Sequence, residues 1–290
     1  MRIRAFDYKR PSSLDEALSL LSDHGEKAKI LAGGTDLLVL MKKKLVQPHV
    51  VVDLSALAEL RFIEEREDGL HIGPMATLSD LLVFPNLEKE YGILKQAISE
   101  IGTWQVRNRA TLGGNLCNAS PAADSAPPLL VLEANLRLKS SISERVVKIS
   151  SFFRGPRTTL LSPNEMLVEI IVPHPPSPHH GKYLKFSRRR KGDLAVVGVV
   201  LLLFPQGVDG SIKEARIALG GVAPTPIHAQ KAERILSGKV LERSLFPYVA
   251  QACLEDSACI SDLRASKKYR EEIIQVLIQR GLSQILASMG

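Results

Sequence analysis

The 290-residue chain carries a net charge of +7 on a composition 45% apolar and 24% charged, the profile of an ordinary globular protein long enough for two or three domains. No apolar run reaches the roughly 18 residues of a membrane span, and the longest, Leu194 to Phe204, reads as a buried strand. Three cysteines, Cys117, Cys253 and Cys259, without a CxxC, exclude a disulfide framework and argue against an iron–sulfur or structural zinc site built by this chain alone.

The N-terminus, Met1 to Asp7, has charges where a signal peptide needs its apolar region, so the cytoplasm is the expected compartment. Ser13-Leu14-Asp15-Glu16 is a capping-box pattern, followed by Leu14, Ala17, Leu18 and Leu21 at helical spacing. Lys29 to Ala32 is a short strand feeding Gly33-Gly34-Thr35-Asp36, and Leu37 to Leu45 reads as a helix with Thr35 or Asp36 as its cap. Lys42, Lys43 and Lys44 fall at its C-terminal end, where the helix dipole favours cations. Val50 to Leu54 is a strand, and Leu60 to Glu65 with Leu70 to Gly73 flank Asp68-Gly69 as a hairpin. Thr77 to Asp80 opens a capped helix, Tyr91 to Ile101 reads as another, and the segment around Gly113-Gly114 reads as a loop. Pro127 and Pro128 introduce a helix through about Glu133, and strands follow near Leu136–Leu138 and Met166–Val172.

Pro173 to His180 has the composition of a linker. Its three histidines lack a carboxylate or cysteine spaced to complete a metal site, so no metal is expected there. Strands follow near Tyr183–Phe186, Ala195–Phe204 and Ala215–Leu219, then helices near Ile227–Leu236 and Leu245–Leu254. The last helix sets Tyr269, Ile273, Ile274, Leu277, Ile278 and Leu282 on one face. The order implies mixed α/β sheets and not a doubly wound fold throughout.

Two glycine pairs carry the chemistry. Ala32-Gly33-Gly34-Thr35-Asp36 and Thr111-Leu112-Gly113-Gly114-Asn115 each set two residues without Cβ beside a small hydroxyl. Such segments let backbone N–H groups converge on an anion, and two of similar composition point to one diphosphate gripped from two sides. Neither has the GxGxxG spacing of a nicotinamide-binding turn or the Gly-Lys-Ser/Thr of a P-loop. No Ser-His-Asp or Cys-His arrangement suggests a nucleophile, so no catalytic side chain is assigned and the chemistry is expected from a bound cofactor. Basic runs at Lys42–Lys44 and Arg188–Lys191 lack interleaved aromatics, which argues against nucleic acid as a partner.

These segments together resemble the FAD subunit of the molybdenum hydroxylases, the xanthine dehydrogenase and carbon monoxide dehydrogenase relatives. The likeness extends from the two glycine segments through Ala119-Ser120-Pro121-Ala122-Ala123-Asp124, Arg154-Gly155-Pro156-Arg157 and Ala215 to Pro226, and on to Asp262 to Arg270. It implies an α+β fold: a p-cresol methylhydroxylase-type FAD-binding domain of two α/β subdomains, 1–56 and 57–174, then a smaller C-terminal domain, 175–290, of antiparallel sheet plus helices.

By the same resemblance, Ile30, Leu31, Ala32, Gly33, Gly34, Thr35, Asp36 and Leu37, with Thr111, Leu112, Gly113, Gly114 and Asn115, line the FAD diphosphate and ribityl chain. Ile101, Asp124, Leu167 and Lys185 contact the rest of FAD, and Leu194 packs on a face of the flavin ring. Lys185 is then placed to stabilise negative charge and Asp124 to accept a hydrogen bond; the plainer readings are an exposed strand lysine and a helix cap. The resemblance also implies a molybdopterin-binding large subunit and a [2Fe–2S] small subunit as partners, in a dimer of heterotrimers. Electrons would pass from the clusters through FAD to an external acceptor. Three scattered cysteines cannot form the extra four-cysteine cluster of the 4-hydroxybenzoyl-CoA reductase branch. Two alternatives are a stand-alone flavin oxidoreductase of the same broad fold and a basic nucleic-acid-binding module.

Overall fold

Strand β1 (Asp7–Lys9), helix α1 (Leu14–His24), β2 (Ala28–Leu31), α2 (Leu37–Lys42) and β3 (Val50–Asp53) build a parallel three-stranded sheet ordered β1-β3-β2 in the computed structural model, which describes residues 3–206 and 210–289. Helix α1 buries Ala17, Leu18 and Leu21 against this sheet. Only half of its capping box forms. Ser13 Oγ accepts the Glu16 N–H at 3.2 Å, but the Glu16 carboxylate accepts from the Ser12 N–H and hydroxyl at 2.7 and 2.9 Å. Helix α2 stops at Lys42, short of the expected Leu45. Lys44 turns left-handed at φ 58°, and the Leu45 N–H reaches back to the Leu40 carbonyl at 3.0 Å, closing the end.

The expected hairpin forms as β4 (Ile63–Arg66) and β5 (Gly69–Ile72), but its two-residue turn is Glu67-Asp68: Gly69 already pairs with Arg66, and Leu60 lies in a 3-10 turn ahead of the first strand. The hairpin is followed by α3 (Leu78–Leu82), with a complete Thr77/Asp80 capping box, and by α4 (Leu87–Ser99). Helix α4 begins four residues before the expected Tyr91, which is itself a non-helical kink at φ −116° and ψ 32°. Next come α5 (Trp104–Arg107), α6 (Leu112–Cys117), α7 (Ala126–Val131), β6 (Asn135–Lys139), β7 (Glu144–Lys148), β8 (Phe153–Gly155), β9 (Thr158–Thr159) and β10 (Met166–Pro173). The second glycine pair therefore lies in the first turn of a helix, α6, and not in a loop. The Thr111 side chain caps that turn by accepting the Gly114 N–H. The main sheet here is antiparallel in the order β4-β5-β10-β6-β7, with β8 and β9 as a separate pair.

The third sheet runs β11 (His180–Phe186), β12 (Val197–Gln206), β13 (Ser211–Gly220) and β14 (Ile227–His228), all antiparallel. Helices α8 (Gln230–Leu236), α9 (Phe246–Asp256) and α10 (Lys267–Met289) cover one face. The helix expected over Ile227–Leu236 divides into β14 and α8, because Ile227 and His228 pair with β13. Strand β12 has apolar residues on both faces because both are covered. Val200, Leu202 and Phe204 enter the core shared with α4 and α7, while Val199, Leu201 and Leu203 enter the core beneath α10. Contact is close on each side: a Cβ on Gly181 would lie 2.6 Å from Ile93 of α4, and one on Gly281 of α10 would lie 2.5 Å from Leu201. Among the described residues no helix is long and apolar enough to cross a membrane.

The linker is pinned by His174, whose Nδ1 lies 2.8 Å from Glu90 and whose Nε2 lies 3.1 Å from the Arg66 carbonyl. Folding thus brings Glu90 and Glu65 beside a histidine that lacks carboxylates in sequence. The Glu90 hydrogen bond raises the His174 pKa, and a protonated ring with both nitrogens engaged serves as an ion-pair staple.

An ionic ladder crosses the five-stranded sheet. Buried Glu169 on β10 accepts from His71 Nδ1 on β5 at 2.8 Å, Arg66 on β4 at 3.1 Å and Arg137 on β6 at 2.7 Å, and Arg137 continues to Glu144 on β7 at 2.9 Å. Burial alone would raise the Glu169 pKa, but its His71 and Arg137 hydrogen bonds outweigh that and hold it below the ordinary value. A depressed pKa contributes stability above the unfolded-state value, about 4.3, and that stability is lost as pH falls through the folded value. Glu169→Gln is therefore expected to lower the unfolding temperature at neutral pH. The gap to wild type should close as pH falls below about 4.3, in a pH series of thermal melts.

Candidate functional site

Strand β2 delivers residues 32–36 to one wall of a cleft of about 640 Å³, within the size range of small-molecule and cofactor sites. The turn can exist because Gly33 has no side chain: a Cβ there would lie 1.9 Å from the Arg109 carbonyl oxygen and 3.0 Å from Ala110 Cα. Gly34 takes φ 76°, the left-handed region. The second glycine segment meets the first at this place. A Cβ on Gly113 would strike Pro74 at 2.5 Å, while one on Gly114 would stand 2.9 Å from Thr111 Oγ1 and 3.7 Å from Ala32 Cβ. Two glycine pairs some eighty residues apart in sequence thus become one surface.

The two segments differ in what they offer an anion. Among the described residues, the N–H groups of Gly33, Gly34, Thr35 and Asp36 donate to no protein acceptor. The second segment has used its own donors: Leu112 N–H to Ala76 O, Gly113 N–H to Pro74 O, Gly114 N–H to Thr111 Oγ1 and Asn115 N–H to Thr111 O, at 3.0–3.2 Å. A grip by backbone donors from both sides, as the composition suggests, is therefore corrected. The first segment presents amides; the second presents a Cβ-free surface, the Thr111 hydroxyl, whose proton remains available, and the Asn115 side chain.

Of the residues singled out in sequence, Ile30, Ala32, Gly33, Gly34, Thr35, Asp36, Leu37, Thr111, Gly113, Gly114, Asn115 and Leu167 line this cleft. Leu31 and Leu112 stand behind its walls, Leu112 fully buried. Asp36 occupies the cap position of α2, but its side chain makes no capping hydrogen bond. It opens into the cleft, where the walls strip enough water to push its carboxyl above the ordinary range, opposed by the charge of Arg157. Cys117 also lines the cleft; burial pushes its thiol up to about 12, so it is no thiolate at neutral pH.

The remaining residues gather one layer away. Asp124 accepts the Tyr183 hydroxyl at 2.5 Å through Oδ1 and the Lys185 ammonium at 2.8 Å through Oδ2, and Lys185 also donates to the Glu100 carbonyl at 2.9 Å. Burial raises the Asp124 pKa, against the opposing pull of Lys185 and Tyr183. Asp124 is therefore no helix cap, and Lys185, with a side chain only 3% exposed, is no surface lysine. Ile101 is buried beside Glu100, its carbonyl held by Arg107 at 3.0 Å. Asn115 connects the two groups, since its Oδ1 accepts from Ser125 Oγ at 2.6 Å, next to Asp124. Leu194 stands apart, half exposed on the β11–β12 loop. Two of that loop's basic residues are tied down: Arg188 to the Leu263 carbonyl at 3.3 Å and Lys191 to the Glu100 carboxylate at 2.8 Å. Sequence reasoning missed Arg157 and Asn118 as lining residues. The signal for Arg157 is its place after Pro156 in a short turn that precedes more apolar chain.

The family model described as FAD binding domain in molybdopterin dehydrogenase matches residues 4–175, and that of the CO dehydrogenase flavoprotein C-terminal domain matches residues 182–285. The chain is 35% identical to the xanthine dehydrogenase FAD-binding subunit of Escherichia coli O157:H7 over 98% of its length and 97% of the relative's. It is 33% identical to the carbon monoxide dehydrogenase medium chain of Hydrogenophaga pseudoflava over 96% of each. In three dimensions it superimposes on a chain of carbon monoxide dehydrogenase from Hydrogenophaga pseudoflava with a TM-score of 0.94 and 34% identity, covering 99% of both chains. A chain of quinoline 2-oxidoreductase from Pseudomonas putida 86 gives 0.93 and 33%, again over 99% of both.

Gly33→Ala must force residues 32–34 away from Arg109 and is expected to lower the unfolding temperature and open the junction of the two segments. Gly92→Ala, on α4 with no atom within 4 Å of the added carbon, should leave it unchanged or raise it. Thermal melts of the pair, with proteolysis of the 105–115 region as a second readout, check this.

Proposed function

This chain belongs to the FAD-binding subunits of the molybdopterin dehydrogenases, and from that premise we propose that it is the electron-transferring subunit of a three-component oxidoreductase. Its partners are a large subunit carrying the molybdenum cofactor and a small subunit carrying [2Fe–2S] clusters, in a dimer of heterotrimers in the cytoplasm. FAD, held by the cleft residues, would supply the redox chemistry between the partner's clusters and an external acceptor. The chain divides into subdomains 1–56 and 57–174 and a C-terminal domain, 175–290.

The observation that carries this reading is the cleft itself. Four backbone N–H groups without acceptors among the described residues stand opposite a Cβ-free helical turn, in a cleft within the size range of cofactor sites. In this assignment the amides of Gly33 to Asp36 hold the diphosphate, with the Thr111 hydroxyl and Asn115 amide completing the grip. Ile30, Leu37 and Leu167 supply apolar wall. Lys185, hydrogen-bonded to Asp124 and to the Glu100 carbonyl, is assigned to the flavin end, with Ile101 and Leu194 beside it. No side chain is assigned to bond-making chemistry. The substrate is set by the large subunit: relatives of comparable identity are named for xanthine, carbon monoxide, caffeine and glyceraldehyde enzymes.

The C-terminal family match disfavours the stand-alone oxidoreductase alternative, which needs a substrate-binding domain in that position. The chain purified with its partners is expected to show the absorbance bands of oxidised flavin at one FAD per chain. Gly114→Val, which crowds Thr111 and Ala32, should abolish them while the complex still assembles. A complex that forms without flavin in the wild type would overturn the assignment.

A further inference from the structure

Hairpin β8–β9 turns through Pro156 and Arg157, and Arg157 sits at φ 60°. This left-handed conformation after a proline is one that glycine or asparagine fills at little cost, whereas a bulky side chain there is strained. Ala119 is likewise left-handed, at φ 45°, and accepts the Arg157 N–H at 2.9 Å, so the turn is locked onto the segment that follows α6. The turn thus holds an arginine where another residue would fold more easily. Such an outlier directs attention to what its side chain does.

That side chain lines the cleft; among the described residues its guanidinium makes no hydrogen bond or ion pair, and the nearby lining carboxylate Glu165 pairs with Arg145 instead. The same cleft holds Asp36 on the anion-binding wall, whose carboxylate makes no capping hydrogen bond and no other among the described residues. Asp36 is a poor neighbour for a diphosphate, since like charges in a partly dry cleft repel. A free guanidinium facing the same space offsets that repulsion and can donate two parallel hydrogen bonds to phosphate oxygens.

We propose that Arg157 and Asp36 form a charge couple that governs entry of the cofactor diphosphate: Arg157 binds the phosphates and neutralises Asp36, and without it Asp36 opposes binding. The inference rests on the FAD reading above and extends it to a residue that neither glycine motif contains. Burial in the cleft raises the Asp36 pKa and the Arg157 charge opposes the rise, consistent with the two groups sensing each other.

The test is a double-mutant cycle on the full chain with its partners, made FAD-free and titrated with FAD. Arg157→Gly should not lower the unfolding temperature of the FAD-free protein, because glycine relieves the strained turn. It should weaken FAD binding by about tenfold at low salt, with the loss shrinking as salt is raised. Asp36→Asn in the Arg157→Gly background should then restore most of the affinity, as expected of a coupled pair. A purely structural role for Arg157 predicts the reverse, a lower melting temperature and no rescue. A loss below about threefold, or one that Asp36→Asn leaves in place, overturns the proposal. Wild-type complex that takes up no FAD at all overturns the FAD reading instead, and this couple with it.

Discussion

The closest constraint in the molecule is the seating of Gly33 on the Arg109 carbonyl, where the position of even one extra carbon is occupied. That backbone-on-backbone contact joins the end of the parallel sheet to the helical layer of the antiparallel one. It also sets the two glycine segments side by side. The neighbouring approaches, Gly113 on Pro74 and Gly114 on Ala32, extend the same contact across the cleft floor. The wall is built from main chain because main chain alone can come this close, and a main-chain wall displays amides.

The seam has two unequal sides. Capping Thr111 and docking on Ala76 and Pro74 use the amides of 112–115, which is how six residues with two glycines hold a helical turn at all. Glycine costs about 1 kcal/mol per residue in a helix interior, so tertiary hydrogen bonds must supply what propensity does not. The 33–36 segment has no such partners, and its amides face the open cleft. Rigidity on one side and unsatisfied donors on the other suit a site that recognises an anion without rearranging.

Behind the cleft, strand β12 joins two cores. Because alternate side chains enter opposite apolar layers, the C-terminal sheet is fastened to α4 and α7 as firmly as to its own helices. This places Tyr183 and Lys185 of β11 against Asp124 and the C-terminal end of α4. A lysine and an aspartate buried together are tolerable only because each completes the other's hydrogen bonds. Arg270 does similar work farther out, donating to the Val196 and Gly221 carbonyls and pairing with Asp262 at 2.7 Å, so that the base of the β11–β12 loop is fixed.

Local signals in the sequence carried a good part of this. The hairpin around Asp68, the Thr77/Asp80 box and the apolar β12 depend on residues close in the chain and form where expected, and α10 buries Ile274, Leu277, Ile278 and Leu282 of its expected face while Tyr269 stays exposed. Two glycine pairs flanked by hydroxyls were enough to point to a diphosphate and, through the longer motifs, to the family. Where several interactions compete, sequence was a poor guide: α6 was masked by its glycines, α4 began before a kink, and Glu16 turned from Ser13 to Ser12. What only the tertiary structure decided is which donors remain free and which charges meet. The amides of Leu112 and Gly113 spent on Ala76 and Pro74, the pairing of Lys185 with Asp124 and the shared cleft of Asp36 and Arg157 all join residues tens of positions apart. Composition and periodicity report how each segment satisfies itself; hydrogen-bond satisfaction and burial across segments exist only once the chain has closed on itself.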